Sequence, residues 1–133
     1  MDVTTAIPSV FVITPFRADV EFFRGMGDAG RWNIVVTGSV EEALQTMGQG
    51  LFPVVVCDRD IPGWEWRDVM SAIAGRFSRT CILLSSRVSD EYLWREVVKH
   101  GGYDLLTKPL EATEVSRALQ RTFCYWKAKF GPG

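Results

Sequence analysis

Residues 53–63 read PVVVCDRDIPG. Three valines and a cysteine form a short apolar run that stops at Asp58, and Pro62-Gly63 marks a turn four residues later. A run of this length without polar alternation suits a strand buried on both faces, the usual condition of a parallel sheet. With Pro53 to Asp58 as the central strand, four similar runs are read at Ser9 to Thr14, Trp32 to Thr37, Thr80 to Ser85 and Tyr103 to Thr107. Helical stretches fall at roughly Ala18 to Ala29, Val40 to Gly48, Glu65 to Ala74, Asp90 to His100 and Thr113 to Phe130. Strand and helix therefore alternate along the chain, which predicts an α/β fold with helices on both faces of a parallel sheet.

Local signals support the helices. Ser39 can cap the second helix, with Glu42 three residues on completing a capping box. In the last helix Val115, Ala118, Leu119, Thr122, Phe123, Trp126 and Phe130 share one stripe, and Cys124 points away from it. The chain of 133 residues is expected to form a single domain over 1–133, with its core at about 8–128 and residues 131–133 as a tail or the start of a linker.

Composition narrows the function. Fifteen Lys plus Arg against sixteen Asp plus Glu give a formal net charge of −1, without the basic excess of a nucleic-acid binder. No apolar run approaches the roughly 20 residues of a membrane span. The opening MDVTTAIPSV lacks the basic and apolar regions of an export signal, so a cytoplasmic location is expected. Cys57, Cys81 and Cys124 form no CxxC pair and His100 is the lone histidine, so no zinc site is expected; Cys57 and Cys81 read as buried strand residues.

Ligands of open parallel sheets bind beyond the carboxyl ends of the strands. Those ends carry Thr14-Pro15, Asp58, Ser85-Ser86 and Thr107-Lys108-Pro109. A carboxylate can act as a nucleophile toward phosphorus, an ammonium can neutralise phosphoryl oxygens, and a hydroxyl can donate a hydrogen bond. Asp58, Lys108 and Ser85 are thus the candidate phosphoryl-transfer residues.

The order VVVCD-RDIPG, CILLSS and LLTKP at these strand ends resembles the receiver domain of bacterial response regulators, over about residues 8 to 128. The resemblance implies a flavodoxin-like (βα)5 three-layer sandwich with a five-stranded parallel sheet of order 2-1-3-4-5. It implies that Asp58 accepts a phosphoryl group from a histidine kinase, that Ser85 takes the family's Ser/Thr position, and that Lys108 is the family's lysine before a cis proline, Pro109. Gly101-Gly102 stand where the family has Gly-Ala.

The chain departs from the family at the metal. Two adjacent acidic residues after the first strand help hold Mg²⁺ in the family; here Thr14 and Pro15 take those positions. Only Asp58 and Asp60 remain as candidate ligands, and the family uses the backbone carbonyl at the position of Asp60, so Mg²⁺ binding is expected to be weak. Without a metal, Asp58 and Lys108 are expected to pair. The family's strand-five aromatic is replaced by Leu105, with Tyr103 on the same strand face by alternation. The expectation is an atypical receiver in two-component phosphorelay signalling, not an enzyme beyond self-phosphorylation at Asp58, that acts through protein contact with phosphorylation weak or lost. The alternative is a working Mg²⁺-dependent receiver. Expected partners are a histidine kinase or other signalling protein, and a second copy through the face of the fourth helix, fifth strand and last helix, which carries Tyr92, Tyr103, Leu105 and Tyr125. A flavin carrier on the same architecture is disfavoured, because TPFRAD stands where a Ser/Thr/Gly-rich phosphate loop would follow the first strand.

Overall fold

The computed structural model describes residues 7–131. Five strands and five helices alternate: β1 (Ser9–Ile13), α1 (Arg17–Asp28), β2 (Asn33–Thr37), α2 (Val40–Met47), β3 (Val54–Asp58), α3 (Trp66–Arg76), β4 (Cys81–Ser86), α4 (Glu91–Lys99), β5 (Asp104–Thr107) and α5 (Ala112–Phe130). The strands form one parallel sheet in the order β2-β1-β3-β4-β5. This is the flavodoxin-like architecture expected from the sequence, with most boundaries within a residue or two. Of the expected tail, residues 132–133 lie outside the described residues.

Side-chain alternation along the strands builds two cores. Phe11, Ile13, Val55, Cys57, Ile82 and Leu84 face α2, α3 and α4, where they meet Met47, Met70, Ile73 and Val97. Val10, Val12, Val54, Val56 and Leu83 face α1 and α5, where they meet Phe23, Val115 and Leu119. Both faces of β3 and β4 are buried, which explains why these strands read as unbroken apolar runs. Burial, aided by the neighbouring Asp58 charge, pushes the Cys57 thiol up to about 12, so it is an inert packing group. Cys81 is also buried and Cys124 is exposed.

The helix ends follow their sequence signals. Ser39 Oγ accepts from the Glu42 backbone N–H at 3.1 Å, and Asp90 Oδ1 accepts from that of Leu93 at 2.8 Å. The end of α5 is fixed to the start of β4: Trp126 Nε1 donates to the Arg79 carbonyl at 2.8 Å, and the Arg79 guanidinium donates to the Phe130 carbonyl at 2.7 Å. On the opposite face Arg67 of α3 lies 4.5 Å over the Trp66 ring and donates to Glu96 of α4 at 3.0 Å, while Trp66 packs edge-on against His100.

Tyr103 does not share a strand face with Leu105. It precedes β5, where strand alternation has not yet begun, and packs on Tyr125 of α5 with ring centroids 4.8 Å apart. Leu105 packs toward the α4 side.

The turn into β5 explains Gly101-Gly102. Gly101 has φ +92°, a left-handed conformation that favours glycine. A Cβ on Gly102 would lie 2.5 Å from Val97 Cγ1 and 2.9 Å from Met70 Sδ, so the alanine that the family carries here does not fit between α4 and α3 as they stand. Gly102→Ala should therefore destabilise the fold by about 1–3 kcal/mol, the usual cost of overpacking. Urea denaturation checks this, and an unchanged midpoint would contradict it.

Candidate functional site

Parallel pairing brings the carboxyl ends of β3, β4 and β5 side by side, with Asp58 opposite Ser85 and Ser86 opposite Thr107. Asp58 closes β3 and is 1% exposed. Ser85 is buried beside it, and its backbone carbonyl accepts from the Arg59 N–H at 3.0 Å, which holds the loop after β3 against β4. Lys108 follows β5; its backbone N–H donates to the Ser86 carbonyl at 2.8 Å, and its peptide bond to Pro109 is cis.

The Lys108 ammonium bridges two carboxylates. Nζ lies 2.9 Å from Asp58 Oδ1 and 3.2 Å from Oδ2, and 2.7 Å from Asp19 Oδ2. The Lys108 side chain is only 7% exposed. The Phe16 ring lies 4.4 Å from Nζ on the approach from α1 and is itself 42% exposed, so an aromatic face covers the cation. A cleft of about 230 Å³, lined in part by Asp19, Arg87, Lys108 and Pro109, opens beside the cluster.

Asp19 is the member of the cluster that the sequence reading missed. It lies in the first turn of α1, where an acidic residue ordinarily reads as a partner of the helix dipole. Here it is buried and accepts a hydrogen bond from Thr14 Oγ1 at 2.9 Å, while Thr14 Oγ1 accepts from the Phe16 N–H at 3.2 Å. Thr14, which stands in an acidic position of the family, thus orients a carboxylate supplied five residues later. The spacing Thr14-x4-Asp19 carries no motif, so only the docking of α1 shows it. The cluster consequently holds two carboxylates and one ammonium, formally −1, rather than the neutral Asp58–Lys108 pair expected from the sequence.

Burial pushes Asp58 above the ordinary carboxylate value against the pull of Lys108, and the charges of Asp19 and Asp60 push the same way. Burial pulls Lys108 down, but its bonds to Asp19 and Asp58 prevail and hold it above 10.5.

The Mg²⁺ implied by the resemblance does not fit these residues. Magnesium needs an octahedral shell of oxygens built on one or two accessible carboxylates. Both carboxylates here are engaged by Lys108, Thr14 donates its hydroxyl proton to Asp19, and Pro15 has no side-chain oxygen. Asp60 is exposed. Among the described residues no group of three or more His, Cys, Asp or Glu side chains could hold a metal ion.

At about 3 Å and an effective dielectric near 20, each attraction is worth on the order of 5 kcal/mol before desolvation. Desolvation cancels much of this, but removing Lys108 leaves two carboxylates buried together. Lys108→Met should destabilise by about 3–5 kcal/mol, and Asp19→Asn by about 1–3 kcal/mol. The double variant should fall short of additivity by roughly 0.5–3 kcal/mol. Because Lys108 is held above 10.5, its stabilisation is full below that value and is lost as pH rises through the folded value. Lys108→Met should therefore lack that part of the alkaline loss. Urea denaturation across pH checks both; additive effects would show that the bridge is energetically empty.

No protein-family model matches the chain. No curated protein matches its sequence. Solved structures do match. The signal receiver domain of an HD domain-containing protein from Pseudomonas fluorescens Pf-5 superposes with a TM-score of 0.85 at 15% identity, covering 97% of this chain and 96% of that one. A response regulator receiver domain protein from Clostridium thermocellum gives 0.82 at 17% identity, covering 93% and 100%. Chemotaxis protein CheY4 of Vibrio cholerae gives 0.81 at 20% identity, covering 88% and 99%. The chain has the fold of response regulator receiver domains.

Proposed function

We propose that this chain is an atypical receiver domain of two-component phosphorelay signalling, which acts mainly through protein contact and in which phosphorylation at Asp58 is weak or lost. The observation that carries the reading is the commitment of Asp58: it is 1% exposed and both its oxygens lie within 3.2 Å of the Lys108 ammonium. Attack on phosphorus requires a free carboxylate oxygen in line with the leaving group. Here the oxygens are engaged, and the cation that would neutralise the incoming phosphoryl group is already neutralised. The module is a cytoplasmic signalling domain rather than an enzyme, with self-phosphorylation at Asp58 as its only chemistry. Among the described residues no helix is long and apolar enough to cross a membrane.

One observation favours the alternative, a Mg²⁺-dependent receiver phosphorylated by a histidine kinase: Asp19 returns a second carboxylate to the site. Against it, that carboxylate arrives already paired. The two readings separate on incubation with a small phosphodonor and Mg²⁺, followed by intact-mass spectrometry of wild type and Asp58→Asn. The expected result is little or no phosphoryl adduct; a near-stoichiometric adduct absent from Asp58→Asn would establish the alternative.

The contact surface is the face of α4, β5 and α5. Glu96 and His100 mark the flank of α4 against α3, and at about 100° per residue Trp94 and Val98 fall on the opposite flank, toward β5. Trp94 is 45% and Val98 46% exposed, and Tyr125 is exposed on α5. The same helical phase puts Tyr92 on the α3 flank, outside the face where the sequence reading placed it. A second copy of the chain, or a kinase or other signalling partner, docks on the Trp94–Val98 side. Sedimentation over a concentration series should show association independent of phosphodonor and weakened by Trp94→Glu more than by Tyr92→Glu. Association only after phosphorylation would refute constitutive contact.

A further inference from the structure

We infer that this chain closes its acidic site with its own ammonium in place of a divalent cation, so that Lys108 and Mg²⁺ are mutually exclusive occupants of the space between Asp19 and Asp58. The inference rests on the proposed receiver reading only for the expectation that a divalent ion belongs there; the exclusion itself follows from geometry. An ammonium has three N–H donors and no acceptor. Three carboxylate oxygens lie within 3.2 Å of Lys108 Nζ: Asp58 Oδ1, Asp58 Oδ2 and Asp19 Oδ2. The Phe16 ring lies beyond them at 4.4 Å. The two Asp58 oxygens share a forked contact and Asp19 Oδ2 forms the shortest ion pair, so the ammonium already occupies the space between the two carboxylates.

Charge gives the same answer. Both carboxylates are already paired with the ammonium, and a divalent ion entering between them would stand at ångström separation from that like charge. The two cations therefore compete for the same position between Asp19 and Asp58. The Thr14 hydroxyl donates to the Asp19 oxygen that pairs with Lys108, so the residue replacing a family carboxylate supports the ammonium instead. Removing the ammonium should consequently create a metal site: two buried carboxylates left facing each other require a cation, and oxygen ligands of this kind suit Mg²⁺ or Mn²⁺.

The test uses Mn²⁺ as a paramagnetic probe of amide signals, with Mg²⁺ as the diamagnetic competitor. In the wild type, millimolar Mn²⁺ should cause no saturable broadening centred on Thr14, Asp19 and Asp58. Lys108→Met should show such broadening, reversed by Mg²⁺, with affinity at least about tenfold above wild type. Mg²⁺ should also raise its melting temperature. Asp19→Asn on the Lys108→Met background should abolish both effects. Site-centred binding to the wild type would overturn the inference, as would a folded Lys108→Met no tighter than wild type. Lys108→Gln, closer in length and still a hydrogen-bond donor, is the second variant, and the wild-type arm decides even if neither variant folds. The readout is metal occupancy, so wild-type metal binding defeats this inference alone, whereas a phosphoryl adduct at Asp58 defeats the reading beneath it.

Discussion

A single ammonium group holds together the end of the sheet where receiver-type chemistry would take place. Lys108 reaches from the loop after β5 across β4 to Asp58 on β3, and its other contact is Asp19 on α1. Backbone pairing fixes the strands, but pairing and apolar packing alone do not set the position of the loop after β5 or the first turn of α1. The ion bridge adds to the Lys108–Ser86 backbone bond and the packing of Leu110 and Phe23, because a buried charge that loses its partner is far more costly than an exposed one. The neighbouring details follow from it: Thr14 turns its hydroxyl toward Asp19, and Phe16 rests on the cation. By contrast, the Arg17–Glu21 pair one turn away lies in water and contributes little to the fold.

The sheet was readable in the sequence because its cause is local. Strands buried on both faces must be short and uniformly apolar, and β3 and β4 carry that pattern in full view. The positions of Asp58, Ser85 and Lys108 at neighbouring strand ends followed from the same pattern. Asp19 was not readable, because its role depends on how far the first turn of α1 leans over the sheet edge, a property of helix docking rather than of spacing. Tyr103 failed for a related reason: alternation holds only inside a strand, and the glycine turn before β5 delays its start. The asymmetry of α4 became visible only once Arg67 showed which flank faces α3.

Two positions differ from the receiver pattern that the sequence resembles. At the site, Thr14 and Pro15 follow β1, and the second carboxylate is Asp19 of α1, paired with Lys108. On the far side, Leu105 stands where the family has a rotating aromatic and packs into the apolar layer beneath α4. The tyrosine nearest to it, Tyr103, is stacked on Tyr125 on the other face of the sheet.

The Arg67–Glu96 bond and the Trp66–His100 contact have a mechanical meaning. They tie α4 to the first turn of α3, which follows the loop after Asp58. Arg67 is also bonded to Glu65 and stacked on Trp66, so one guanidinium joins side chains of both helices. A change at Arg67 therefore touches both helices at once.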